Sequence, residues 1–142
     1  MKSVSIVCSI LAGFISPVAL ACPNFSGHYW DNLGGTVEIS QTHCIALDYK
    51  LTGGNHEPVL WHASADGIFR EEGNQLLETT AVSFTEDSLA FHHVYFDSAL
   101  EFQSSTTVWT LTTDGNIVSE DKFYDKTGKL IYAGGGPIFL RK

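Results

Sequence analysis

Beyond residue 22, the chain alternates hydrophobic and polar residues in short runs that are separated by Gly, Asn and Asp. Side chains two residues apart lie on the same face of a β-strand, so such alternation is typical of strands with one buried face. No run carries the three-and-four spacing of an amphipathic helix. The pattern therefore predicts an all-β protein. Two rows of residues that share a face are Ile45, Leu47, Tyr49 and Leu51, and Leu89, Phe91, His93 and Tyr95.

The runs predict about eight to ten strands joined by tight turns. After two early strands near residues 36–40 and 44–51, the predicted strands cover residues 59–63, 67–70, 76–84, 89–95, 106–112, 117–124, 130–132 and 138–140. An open sheet of this length would leave long unpaired edges, which favours a small antiparallel up-and-down β-barrel. A two-sheet β-sandwich fits the same pattern and stays open as the alternative. A barrel of about eight strands holds either packed side chains or one small ligand.

The first 21 residues have the features of a cleaved signal peptide. Lys2 is followed by an apolar stretch over residues 6–15, and Ala19-Leu20-Ala21 forms a small-x-small cleavage site before Cys22. The stretch is too short for a spanning helix, which needs about 20 apolar residues. We therefore expect residues 22–142 to form a single exported domain, secreted or periplasmic, without an integral membrane segment.

The formal net charge of −8 argues against nucleic acid as a partner, since such surfaces need clustered positive charge. Cys8 leaves with the leader, so the exported domain keeps Cys22 and Cys44. In an oxidising compartment these two are expected to form a disulfide. A lipid anchor on Cys22, directly after the cleavage site, is the alternative.

The segment from Phe25 to Thr36 contains Gly27, Tyr29, Leu33 and Gly34 at the spacing found in the first strand and turn of the calycin barrels. Within residues 25–39 the chain resembles the lipocalins and, most of all, the avidins. The run Ser105-Thr106-Thr107-Val108-Trp109-Thr110 is similar to a late avidin strand that carries a ligand-facing Trp. The resemblance implies an up-and-down barrel with a ligand site in its interior.

The resemblance does not extend to biotin. In avidins an Asn and a Ser near this turn donate hydrogen bonds to the ureido oxygen, whereas the matching positions here hold Asp31 and Gly35. An ionised Asp only accepts hydrogen bonds, and Gly has no hydroxyl. We therefore expect a different ligand, and because the late Trp-Lys segment is missing, the resemblance does not carry tetramer formation over to this chain.

Large aromatic residues on separate predicted strands are the best candidates for a ligand site, because their rings supply apolar area and Tyr hydroxyls orient a ligand. Simple filling of the interior is the alternative reading of the same residues. The candidate ligand-binding residues are Tyr29, Asp31, Tyr49, Trp61, Phe91 and Trp109.

Metal and catalytic chemistry find little support in the sequence. His92 and His93 are neighbours on a strand and must point to opposite faces, and His56 and His62 flank Glu57 without the spacing of a known zinc motif. Adjacent acidic pairs do not oppose each other across a bond, and the motifs of nucleophilic catalysis and phosphate binding are missing from the chain. We predict a non-enzymatic protein without metal or cofactor.

Two functions remain open at this point. The first is binding of a small apolar ligand in the barrel interior. The second is an envelope or extracellular protein-interaction or inhibitor module with a filled barrel, which would present the loops at residues 55–58 and 134–137.

Overall fold

The computed structural model describes residues 21–55, 57–71, 78–97 and 99–142, and within these ranges the chain is all-β. Ten antiparallel strands follow one another along the chain, which confirms the predicted fold class. They are β1 Gly27–Asp31, β2 Thr36–Thr42, β3 Ala46–Thr52, β4 Val59–Ser64, β5 Arg70–Glu71, β6 Glu78–Phe84, β7 Ser88–Tyr95, β8 Ser104–Leu111, β9 Ile117–Tyr124 and β10 Leu130–Arg141.

The strands form one sheet in the order β4-β3-β2-β1-β10-β9-β8-β7-β6-β5. Consecutive strands pair with each other except for β4 and β5, and β1 also pairs with β10 through registers such as Tyr29 opposite Arg141. This pairing joins the two halves of the meander, so that β4 and β5 become the two ends of the sheet.

The prediction of a closed barrel is wrong, because no ladder joins β4 to β5 or β6 in the part of the chain that the structure describes. The segment between β4 and β5 forms an isolated bridge to β6, from Asp66 to Ser83, and beside it the Gly67 amide donates to the Val82 carbonyl at 2.9 Å. A cleft of about 220 Å³ separates β4 from β6. The sheet is thus rolled but open along this cleft.

The chain around Asp66 explains why the ladder does not continue. The Asp66 carboxylate accepts the Ile68 amide at 3.1 Å and a bidentate pair of bonds from the Arg70 guanidinium at 2.7 and 2.6 Å. These contacts hold a turn rather than an extended strand. The strand predicted over residues 67–70 is therefore reduced to β5, Arg70–Glu71.

The rolled sheet packs its two halves face to face around one core, as the sandwich alternative requires. Trp61 on β4 lies 5.7 Å from Phe91 on β7, measured between ring centroids, although the two strands are far apart in the sheet. Each fully buried large side chain stabilises the fold by about 1.5–3 kcal/mol. The fully buried large residues are Phe25, Tyr29, Val37, Leu47, Leu89 and Ile117. Ile45, expected in the row with Leu47, is exposed in the turn before β3.

β10 is one long strand where the sequence predicted two short strands separated by residues 134–137. These residues pair with β9, for example Gly135 with Glu120. A side chain at Gly135 would collide with the Ser119 carbonyl oxygen, so its glycine permits the close approach of the two strands. The glycine run is therefore part of the sheet and forms no loop.

A disulfide joins Cys22 to Cys44, as predicted, with a Cα–Cα distance of 5.8 Å. The Gln41 side chain holds the same N-terminal segment, since it accepts the Phe25 amide at 2.9 Å and donates to the Pro23 carbonyl at 3.0 Å. Because the Cys22 sulfur is bonded to Cys44, the lipid-anchored alternative does not agree with this structure. The predicted signal peptide lies outside the described residues except for Ala21.

Candidate functional site

The inner face of the rolled sheet carries a solvent-open cavity of about 610 Å³ between β3 and β4 on one side and β6, β7 and β8 on the other. This volume is in the range of about 300–1,000 Å³ that is usual for small-molecule sites. One part of its lining is aromatic and consists of Tyr49, Trp61, Phe91, Trp109 and Phe139. The other part is polar and consists of Glu78, Thr80, His93 and Thr107.

The strand registers explain how the sequence divides the lining in this way. On β7, the inward row runs from Leu89 and Phe91 to His93 and Tyr95, so its apolar residues precede its polar ones. Antiparallel pairing places Val82 of β6 opposite Phe91, and the partners of His93 and Tyr95 are Thr80 and Glu78. Both strands therefore present apolar side chains at one end of the interior and polar side chains at the other.

The aromatic residues form a continuous arc along the cavity wall. Ring centroids lie 5.7 Å apart for Trp61 and Phe91, 4.7 Å for Phe91 and Trp109, 5.5 Å for Trp109 and Phe139, and 5.8 Å for Phe139 and Tyr49. Tilted and edge-to-face pairs at these distances are the favoured geometry of aromatic contacts. The arc joins strands from both halves of the sheet, and it gives the cavity an apolar wall.

The polar end is built around Glu78 and His93. The Glu78 Oε2 atom lies 3.8 Å from His93 Nδ1, and Thr80 Oγ1 lies 2.9 Å from the same nitrogen. The side chains are well shielded from solvent, with exposures of 10% for Glu78 and 21% for His93. Charges are screened less in such surroundings than at the surface.

A second carboxylate, that of Asp121 on β9, lies behind this end. Thr107 Oγ1 donates to Asp121 Oδ1 at 2.7 Å, and Ser119 Oγ donates to Oδ2 at 3.1 Å. Nearby, burial raises the pKa of Tyr95, and the Glu78 and Asp121 charges act in the same direction while the hydrogen bond with Ser105 opposes them. The carboxylates of Glu78 and Asp121 therefore contribute a negative electrostatic potential around Tyr95.

Tyr49 lines the aromatic side of the cavity. Burial raises the pKa of Tyr49, and the nearby Asp31 carboxylate raises it further. Its phenol stays protonated at neutral pH and is able to donate a hydrogen bond.

Four of the six predicted ligand-binding residues, Tyr49, Trp61, Phe91 and Trp109, line the cavity together. Tyr29 and Asp31 lie outside this lining. The Tyr29 hydroxyl donates to the Phe25 carbonyl at 2.7 Å and accepts from Arg141 at 2.8 Å.

Asp31 holds the turn between β1 and β2. Its Oδ1 atom accepts the Leu33 amide at 3.0 Å and the Gly35 amide at 2.5 Å. A side chain on Gly35 would meet both Asp31 Oδ2 and the Leu51 side chain. Asp31 and Gly35 thus shape the turn.

The predicted site did not include Glu78, Thr80, His93 and Thr107. A polar residue at an inward strand position could have indicated them. In the sequence this is visible for His93, which alternates in the same row as Leu89 and Phe91. For Glu78 the signal was weaker, because it is the first residue of β6.

The described histidines that were considered for a metal are not grouped at one site. His62 Nδ1 forms a hydrogen bond with Asp48 Oδ1 at 2.7 Å on the exposed surface. His56 falls outside the described residues. His92 is exposed while His93 lines the cavity, which matches the expected opposite faces. Within the described ranges, no three His, Cys, Asp or Glu side chains are grouped in a way that could hold a metal ion.

Comparison with protein-family models and with curated proteins finds no match for this chain. The described part of the chain contains no helix with the length and hydrophobicity needed to cross a membrane.

Proposed function

We propose that this protein is an exported binding protein that holds a small, largely apolar ligand in the interior of its rolled sheet. The observation that carries the proposal is the cavity of about 610 Å³ with a five-ring wall and a polar end. Such a combination supplies apolar contact area together with a few polar groups that orient the ligand. The proposed activity is binding without catalysis, and the resemblance to avidins and lipocalins favours the same function.

The open cleft between β4 and β6 is a route into the cavity. Trp61 and Thr80 line both spaces, so the two adjoin. Val59 and Leu60 line the cavity from β4 and are exposed to solvent, Leu60 to 80%. An apolar rim of this kind is suited to the capture of an apolar ligand.

Export is the part of the proposal that rests on the leader and on the disulfide. A Cys22–Cys44 bond is compatible with an oxidising compartment, where such bonds persist. The rival function, a protein-interaction module, loses one of its two expected loops, because residues 134–137 lie within β10.

Tryptophan fluorescence tests the proposal, since two of the three Trp residues line the cavity and the third does not. The apolar dye N-phenyl-1-naphthylamine accepts energy from Trp and serves as the probe. We expect dye binding and energy transfer in the parent protein. Transfer should fall strongly in the Trp61→Phe/Trp109→Phe double variant, because the donors in contact with the dye are removed.

The matched control is Trp30→Phe, since Trp30 is 47% exposed on β1 and lies under the Lys142 ammonium at 3.6 Å. This variant should transfer energy as the parent does. No dye binding to the folded parent, or equal transfer in the double variant, would contradict the proposal.

A further inference from the structure

We propose that the protein forms a twofold dimer in which residues 130–136 of β10 pair antiparallel with the same residues of a second copy. This dimer goes beyond the proposed function and does not depend on the ligand. Two observations indicate it: a stretch of β10 that is paired along one edge only, and the order of large and small residues along that stretch.

Most of β10 is paired along one edge only. Its ladder with β9 begins at Leu130, whereas its ladder with β1 covers only residues 139–141. The reason is that β1 ends at Asp31, where the chain turns into β2. Within the described residues, no strand therefore pairs with the second edge of residues 130–136, which we call the open edge. Unpaired strand edges present N–H and C=O groups that can pair with another strand.

The open edge is apolar and uncharged. Exposed edges are often protected by charged side chains, but residues 130–138 contain none, although the chain has a formal net charge of −8. Leu130, Ile131 and Tyr132 are exposed to 46%, 46% and 56%. Two copies can therefore approach along this edge without placing like charges opposite each other, and pairing would remove apolar surface from water.

The sequence of the open edge is complementary to itself when it is read in opposite directions. Three large residues precede Ala133 and three glycines follow it, in the order Leu130, Ile131, Tyr132, Ala133, Gly134, Gly135 and Gly136. Antiparallel pairing centred on Ala133 places Tyr132 opposite the partner's Gly134 and brings the other two large residues to the partner's remaining glycines. Large side chains, aromatic ones above all, cover glycines on a neighbouring strand.

The surroundings of the glycines leave room for this arrangement. The Tyr132 ring lies against Gly134 of its own chain, where a Cβ atom would collide with the Tyr132 hydroxyl. At Gly136 a Cβ atom would have no heavy atom of the described residues within 4 Å, apart from its own chain neighbours. The space beside Gly136 is thus open to a side chain of the second copy. Near the twofold axis, Tyr132 and the partner's Tyr132 would be neighbours and would add an aromatic contact.

Sedimentation equilibrium of the full chain between about 1 μM and 1 mM measures its association. We expect a reversible equilibrium of monomer and dimer, because one pair of strands makes a smaller interface than that of a permanent dimer. A protein that stays monomeric up to about 1 mM would overturn the inference. Assemblies larger than a dimer would also overturn it, since a twofold contact uses the open edge of both copies.

The variant Ala133→Glu tests the assigned edge, because position 133 lies opposite itself across the twofold axis. Ala133 is exposed and pairs with Lys122 on β9, so one chain tolerates the carboxylate, whereas the dimer places two carboxylates side by side. We expect the dissociation constant of the dimer to rise at least about tenfold. Thr106→Glu is the matched control, since Thr106 also pairs with Lys122 but lies on β8, whose two edges are both paired. This control should dimerise as the parent does.

The opposite charge completes the test. Ala133→Lys should weaken self-association as well, and an equimolar mixture with Ala133→Glu should restore the dimer, because opposite charges then face each other. An unchanged dissociation constant in Ala133→Glu, or no restoration in the mixture, would contradict the assigned edge.

A cross-link decides the question if the charged variants fail to fold. Residues directly opposite in an antiparallel pair have Cα atoms about 4.5–5.5 Å apart, which suits a disulfide. Ala133→Cys should therefore give a disulfide-linked dimer on mild oxidation, and Thr106→Cys should give none. A folded Ala133→Cys protein that forms no linked dimer would overturn the inference.

Discussion

Removal of the disulfide tests the physical account of how the N-terminal segment is held. The variant Cys22→Ala/Cys44→Ala opens a cross-link between residues separated by 22 positions. In the chain-entropy model, a loop of this length contributes about 3 kcal/mol by restricting the unfolded chain. The contacts of Gln41 with Pro23 and Phe25 remain in the folded state, so we expect the loss of stability to arise mainly in the unfolded state.

Urea unfolding followed by Trp fluorescence measures this effect. With slopes of about 1–3 kcal/mol/M, a loss of about 3 kcal/mol lowers the midpoint by roughly 1–3 M. The slope should increase as well, because an unfolded chain without the cross-link exposes more surface. Reduction of the parent protein should produce the same shift.

The control variant Gln41→Ala removes folded-state contacts of the same segment and keeps the disulfide. It should lower the midpoint without raising the slope, since the unfolded chain stays cross-linked. A loss below about 1 kcal/mol with an unchanged slope in the cysteine variant would refute the chain-entropy argument.

Three further predictions concern the core and the buried tyrosines. Leu89→Ala should cost about 2–5 kcal/mol in urea unfolding, because Leu89 is fully buried, while Leu60→Ala at the exposed rim should change the stability by less than about 0.5 kcal/mol. Burial raises the pKa of Tyr49 and Tyr95 above 10.0. The stability that this shift contributes is therefore complete below pH 10.0 and is lost as the pH rises through the pKa values of the folded protein. A tyrosinate absorbance titration that gives normal pKa values for all tyrosines would contradict this. Tyr29→Phe should cost about 1–3 kcal/mol in thermal or urea unfolding, because it removes the hydroxyl between the Phe25 carbonyl and Arg141, and an unchanged stability would exclude that role.

Part of the candidate site could be predicted from the sequence, because inward-facing positions on a strand repeat every two residues. The row with Leu89, Phe91 and His93 is visible as an alternation, and Tyr49, Trp61 and Trp109 stand out as large aromatic residues on separate strands. The roles of Tyr29 and Asp31 were not accessible. Both have the chemistry of ligand-binding residues, and only their contacts with Phe25, Arg141 and the β1–β2 turn show that they hold the chain in place.

The sequence by itself determined the all-β class and most strand positions, since these follow from local alternation and turn residues. It also predicted the pairing of Cys22 with Cys44, on the expectation that Cys8 leaves with the leader. The tertiary structure alone decided that no ladder closes the sheet between β4 and β6 within the described residues, that residues 134–137 belong to a strand, and that Glu78 and His93 share a cavity with Trp61. The physical reason is that alternation reports which face of its own strand a residue occupies. Which residues meet across the interior depends on how strongly the sheet coils, and coiling is set by the packing of all strands together.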